Sequence, residues 1–192
     1  MRKKSHISLA GYLLENLNVD SLDKHRKAFY LGSILPDIMP SFLTRRHTIE
    51  DTFDILKKQI ERLTGEKSLE KGMTMAYCRR LGVITHYVAD YFTFPHNSVF
   101  EGSLKEHCRY EADLMASLKA YVKSAEAARA RAVNGIIRTK EDIIHLIERM
   151  HKEYLECIKN IKNDINYIVE LCYRVVDAIL QIFERYQEGI AA

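Results

Sequence analysis

Tryptophan is absent from this 192-residue chain, and only three prolines and eight glycines punctuate it. So little punctuation excludes collagen-like and low-complexity sequences and argues against a turn-rich all-β fold. Neither sign of charge dominates, because 29 Lys and Arg face 26 Asp and Glu and leave a formal charge of +3. A nucleic-acid binder should concentrate basic residues on one face, and no strong signal of that kind is present. Long apolar runs are missing too. The most apolar late stretch, residues 165 to 183, is broken by Glu170, Arg174 and Asp177, so no transmembrane segment is read. The opening Met1-Arg2-Lys3-Lys4-Ser5-His6 is basic, but no continuous apolar region with a small-residue cleavage site follows, and no signal peptide is read. Cys78, Cys108, Cys157 and Cys172 have no CxxC spacing and all fall inside predicted helices. Reduced, packed thiols in a cytoplasmic protein are expected.

With 47% apolar and 29% charged residues, the chain can bury a core without disulfide staples. Its dominant period is helical, and no strand run of useful length appears. Ser5 is placed to cap a helix to about Leu17, and a second helix covers about Leu22 to Leu35 and stops at Pro36. A loop from Pro36 to His47 follows. Thr48 reads as an N-cap, with Glu50 and Asp51 in the first turn, for a third helix ending at Gly65. A fourth covers about Ser68 to Phe92 and contains Gly72 and Gly82, which cost stability inside a helix unless close packing needs them. Ser103 caps a fifth helix to about Arg129, Gly135 punctuates, and Thr139 caps a sixth. Near Asn160 to Asn163 the chain either bends or continues helically to Tyr186. From Ile165 to Phe183, apolar residues recur with i, i+3, i+4, i+7 spacing, a stripe that faces either a core or a partner such as a second copy.

The eight histidines carry the chemistry. His86 and Asp90 are i, i+4, as are His107 and Glu111, and on a helix such pairs share a face at about 5–6 Å between Cβ atoms. His96 lies between the pairs in the Pro95 turn; Asp37 follows Pro36, and His47 closes that loop. Val83, Ile84, Tyr87, Val88 and Tyr91 surround Asp90, and on so apolar a helix an ionised carboxylate is costly unless paired or metal-bound. Mixed imidazole and carboxylate ligands suit Zn²⁺, with Fe²⁺ or Mn²⁺ as alternatives. Arg45 and Arg46, beside His47, are candidate phosphate ligands, although an Arg pair in a loop is more often solvated. Tyr87, Tyr91, Phe92 and Phe94 can line a pocket or pack in the core. His25, His145 and His151 read as surface residues. Glu148-x-x-His151 has no second copy, which counts against a di-iron bundle. No His-Asp dipeptide supports an HD-type phosphohydrolase.

The order Asp37, His47, His86-x3-Asp90-x5-His96, His107-x3-Glu111 resembles the bacterial zinc-dependent phospholipase C family, whose fold the single-strand-specific zinc nucleases share. Leu81 to Asp90 is similar to that family's signature helix, and Gly32-Ser33-Ile34-Leu35-Pro36-Asp37 to its Gly-x-x-x-Pro-Asp segment; His6 stands where the family has an early histidine ligand. The resemblance implies an all-α single domain over residues 1–192, a multi-helix bundle around a buried multinuclear metal site. Its metal-binding part would span about 6–111, with C-terminal helices over about 139–187. It implies Asp37, His47, His86 and Asp90 on one metal and His96, His107 and Glu111 on a second. His6, with Asp90 bridging, would contribute to a third. In the secreted enzymes an N-terminal Trp completes that third zinc; here Trp is absent and five residues precede His6, so two zinc ions are expected. The implied activity is hydrolysis of a phosphodiester or phospholipid by a metal-activated water, with Asp37 as general base. A nuclease or phosphatase on the same cluster, or a non-catalytic helical protein with a structural metal, are the alternatives.

Overall fold

The computed structural model describes residues 1–39, 46–131 and 137–189. Its helices are α1 (Lys3–Leu17), α2 (Asp20–Asp23), α3 (Arg26–Ile34), α4 (Ile49–Thr64), α5 (Glu66–Glu70), α6 (Met75–Tyr91), α7 (Leu104–Tyr121), α8 (Lys140–Glu156) and α9 (Ile161–Gln187). Short 3₁₀ turns lie at Leu35–Asp37, Phe94–His96 and Ala125–Ala127. Among the described residues there is no strand, and the fold is all-α, as expected. Nor is any described helix long and apolar enough to cross a membrane.

Ser5 does not cap α1, which starts at Lys3 with no side-chain cap and holds Ser5 buried within it, but five other helix starts carry a capping side chain. Thr48, Thr74, Ser103, Thr139 and Asn160 each accept a hydrogen bond from the backbone N–H three residues on. Ser103 with Glu106, and Thr139 with Asp142, close reciprocal capping boxes.

Several expected helices are interrupted. The second is two, α2 and α3, with His25 preceding the latter. The fourth is also two, because Gly72 takes φ +72° after α5 and Thr74 caps a fresh start. The fifth stops at Tyr121 rather than Arg129. The chain does turn before Asn160, so Cys157 ends α8 rather than lying inside a helix. None of the four cysteines is bonded; Cys78 and Cys172 are packed as expected, while Cys108 is exposed and Cys157 half-buried. Gly135 lies outside the described residues.

Helix α6 is the axis of the molecule, packing against α3, α4, α9 and α1. Every residue from Leu81 to Tyr91 is buried. A helix surrounded on all sides must be apolar on all sides, or have partners for what is not. Gly82 is interior to α6 because α3 comes so close. A Cβ there would lie 2.3 Å from the Phe29 carbonyl oxygen and 2.7 Å from the Ser33 nitrogen. Gly32 meets α6 in the same way, its added Cβ falling 1.9 Å from the Arg79 carbonyl oxygen. The apolar stripe of α9 is buried within the chain, with Ile168, Val169, Cys172, Val175, Val176, Ile179 and Leu180 all at 0% exposure. It belongs to the core.

Candidate metal centre

Seven segments converge on the inner face of α6. The α3–α6 contact sets the first imidazole. His86 Nδ1 lies 2.9 Å from the Ser33 carbonyl oxygen. A carbonyl can only accept, so Nδ1 carries the proton and Nε2 presents a lone pair. That lone pair faces Asp90 Oδ2 at 3.1 Å and His47 Nδ1 at 3.0 Å. His47, delivered just before the Thr48 cap, also places Nδ1 3.0 Å from Asp90 Oδ2. Asp37, at the end of the 3₁₀ turn after α3, lies 3.8 Å from both His47 Nδ1 and His86 Nε2.

His6, on the first turns of α1, stacks on His86 with ring centroids 3.9 Å apart. It is buried, neither ring nitrogen has a hydrogen-bond partner, and Nε2 stands 3.4 Å from Asp90 Oδ1. On the other side of Asp90, His96 from the Phe94–His96 turn brings Nε2 within 3.1 Å of Glu111 Oε1, and His107 Nε2 approaches the same oxygen at 3.3 Å. Donor atoms within 4.8 Å of one another form three groups: His6, Asp37 and His86; His47, His86 and Asp90; His96, His107 and Glu111. All eight ligand candidates of the sequence reading are therefore brought together. Asp37 shares a group with His6 and His86 and also stands 3.8 Å from His47 Nδ1, and His86 is common to two groups.

One participant had no signal in side-chain spacing. The Met1 amine lies 2.5 Å from Asp90 Oδ1, 3.2 Å from Glu111 Oε1 and 3.0 Å from His96 Nε2. A cation thus sits between the two carboxylates that the sequence reading assigned to metals.

The electrostatics follow from burial opposed by neighbours. Asp90 is at 0% exposure, and burial alone would raise its pKa; the Met1 ammonium and the imidazoles of His96, His86 and His6 reverse this and hold it well below the usual carboxylate range. Burial lowers the Met1 amine, but Asp90 and Glu111 outweigh it and the net shift is upward. His6 is pushed down to about 3 by burial and by His86. Burial also depresses His96, with the Met1 ammonium adding to it. For Glu111 burial acts upward, but the hydrogen bond from His96 and the Met1 charge take it down to about 2. Asp37 is raised by its burial.

The donor set fits a metal. His86 Nε2 and Asp90 Oδ2 are two acceptors facing each other at 3.1 Å, a repulsion that a cation between them relieves. His6 is a buried imidazole with unmet nitrogens in a polar cluster, where native proteins seldom leave such groups unpaired. The mixture of imidazole and carboxylate suits zinc.

A cavity of about 450 Å³ opens beside the cluster, lined by Arg46, His47, Glu50, His96, Phe100 and His107 among others. Arg46 is a candidate for the approaching phosphate, although its side chain is 83% exposed and pairs with Asp51 at 3.0 Å. Arg45 lies outside the described residues. Tyr87, Tyr91 and Phe92 are core residues at 1%, 0% and 0% exposure. Tyr87 backs the site, its ring edge-on to those of His47 and His86. His145 is exposed and His25 half-buried, but His151 is not a surface residue; it is at 6% exposure and hydrogen-bonded to Asn97.

The family model for zinc-dependent phospholipase C matches residues 5–161, most of the chain and every ligand candidate. The chain belongs to the zinc-dependent phospholipase C family. No curated protein and no solved structure matches it. Family membership carries the coarse function, metal-dependent hydrolysis of the phosphodiester type, and the recognised segment contains all eight ligand candidates.

Proposed function

We propose that this protein is a zinc-dependent phosphodiester hydrolase of the phospholipase C kind, with a phospholipid as its substrate class. The reading is supported chiefly by one observation: the eight candidate ligands, on six segments, close around a fully buried Asp90 beside an open cavity. A solvated cluster of surface acids would not be built from a buried helix.

On this reading His47, His86 and Asp90 hold one zinc, and His96, His107 and Glu111 a second. His6 and Asp37 complete the set around His86. Bound there, zinc supplies Lewis acidity toward a phosphoryl oxygen and brings the pKa of water near neutrality. The chain does the rest. Ser33 fixes the His86 tautomer, and Tyr87 packs behind the imidazoles. Asp37 is the proton acceptor: its side chain is 19% exposed at the edge of the cluster, where it lines a second, shallower opening with Met1 and Lys4, and burial raises its pKa. Arg46 is positioned to meet a phosphate at the mouth.

The test is elemental analysis followed by assay. Two zinc equivalents per chain, with hydrolysis of phosphatidylcholine or a nitrophenyl phosphodiester that chelation abolishes, would support the proposal. Zinc without hydrolysis of either would refute the enzymatic reading in favour of a structural metal. Turnover of single-stranded DNA but not of phospholipid would replace the substrate class.

A further inference from the structure

A second buried carboxylate lies outside the cluster and has no metal-binding partner group. Asp164, in the first turn of α9, is at 0% exposure. It accepts three hydrogen bonds, each from a different element. Phe94 N–H donates to Oδ2 at 2.8 Å, Tyr110 Oη to Oδ2 at 2.9 Å, and Tyr154 Oη to Oδ1 at 2.7 Å. All three donors are neutral, and burial holds the carboxyl up at about 6. An ionised carboxylate kept in such a place costs stability, so its retention calls for a reason.

Two of the donors bear directly on the second donor group. Phe94 opens the 3₁₀ turn that carries His96, and Tyr110 immediately precedes Glu111 on α7. One carboxylate oxygen therefore ties the His96 turn to the helix that supplies His107 and Glu111. The other end of the turn is held as well. Asn97 Nδ2 donates to the Thr93 carbonyl at 2.8 Å, and Asn97 Oδ1 lies 2.8 Å from His151 Nε2 on α8. Asp164 lies beyond residue 161, where the family match ends.

We propose that Asp164 is a positioning residue, which fixes the His96 turn against α7 and so sets the zinc affinity of the His96–His107–Glu111 group. The inference rests on reading those three residues as ligands. Residues that orient ligands from behind typically change metal affinity by about 10–100-fold.

The experiment is zinc titration of the metal-free full chain against a chromophoric chelator at pH 7. It compares wild type, Asp164→Ala, Asp164→Asn, Tyr110→Phe and a core control, Ile179→Ala. Wild type should bind two equivalents. Asp164→Ala should weaken one of them 10–100-fold and leave the other unchanged. In a His107→Ala background, where that equivalent is already lost, Asp164→Ala should do nothing further to the remaining one. Asp164→Asn should restore part of the affinity, since its oxygen can take the Phe94 N–H while its amide donates to a tyrosine hydroxyl. Should Asp164→Ala fail to fold, Tyr110→Phe decides, with a smaller weakening of the same equivalent. Two intact equivalents in the folded variants would overturn the proposal, as would equal weakening of both, matched by Ile179→Ala. Wild-type protein that binds no zinc would instead overturn the ligand reading on which the proposal rests.

Discussion

Substituting Gly82 by Ala separates local propensity from tertiary fit. In an exposed helix interior the change would add about 1 kcal/mol of stability, because Ala is the better helix former. In α6 the new methyl would face backbone atoms of α3 at 2.3 and 2.7 Å, short of ordinary contact by about 1 Å at the nearest. Backbone cannot swing aside as a side-chain tip can, so the two helices must part. Overpacking of this kind costs about 1–3 kcal/mol, and this case belongs at or above the upper end. After the propensity gain, a net loss of about 2 kcal/mol remains, which for a chain of this size lowers Tm by roughly 4–8 °C. The same parting stretches the 2.9 Å bond from His86 Nδ1 to the Ser33 carbonyl beyond hydrogen-bonding range. Zinc affinity should therefore fall about 10–100-fold with no ligand altered. Calorimetric melting of the metal-free protein reads the first effect and chelator competition the second. Gly11→Ala is the contrast: also inside a helix, its methyl would meet mainly the Tyr30 hydroxyl at 3.1 Å, the movable end of a side chain, and it should be neutral or stabilising. A Gly82→Ala protein that melts at or above wild type would refute the close-approach argument.

Three further outcomes can be measured. The metal-free protein should lose stability in acid through His6, whose folded pKa near 3 lies below the ordinary 6.5. Its contribution is fully present above pH 6.5 and is lost as pH falls toward 3, on the order of 4 kcal/mol at the limit. Urea melts of wild type and His6→Gln from pH 7 to 4 would refute this if the two curves run parallel. Asp90→Asn should remove the zinc equivalent held with His47 and His86 and cost the metal-free protein about 3 kcal/mol, because the buried Met1 ammonium loses its nearest counter-charge. Elemental analysis and thermal melting check both, and two retained equivalents would remove Asp90 from the ligand set. His145→Ala, on the exposed face of α8, should leave zinc content and Tm within about 0.5 kcal/mol of wild type; lost zinc would mean the cluster has been drawn in the wrong place.

The helical part of the site was legible because i, i+4 spacing is a geometric statement. His86 with Asp90, and His107 with Glu111, needed only a helix beneath them to share a face, and both helices are present. Of the two glycines expected inside the helix of His86 and Asp90, Gly82 is one that close packing needs, whereas Gly72 is a helix end with positive φ. What stayed hidden came through backbone or through the chain end. The Ser33 carbonyl has no side-chain signature, and the Met1 amine has no spacing to read. The reading of His151 as a surface residue failed because its partner Asn97 is 54 positions away and no local pattern links them.

Three buried aspartates mark how far such reading can go. Asp90, Asp164 and Asp177 all sit on helical faces otherwise given to the core, at 0%, 0% and 6% exposure. The rule that a carboxylate among apolar neighbours must have a partner applies to each, and it would have flagged Asp164, which shares its stripe with Ile161, Ile165 and Ile168. It does not say which partner. Asp177 is met by the Arg131 guanidinium at 2.6 Å, a local charge pair between α9 and a loop. Asp164 takes three neutral donors and no cation, so it works as a tie between elements. Asp90 is met by the Met1 ammonium and by imidazoles from three other segments, more positive or proton-bearing groups than one carboxylate needs. An arginine satisfies a buried charge and hydroxyls satisfy a buried acceptor, but only a cation shared among many donors accounts for a surplus of ligands. That surplus sets Asp90 apart from the other two as the candidate centre of a metal site.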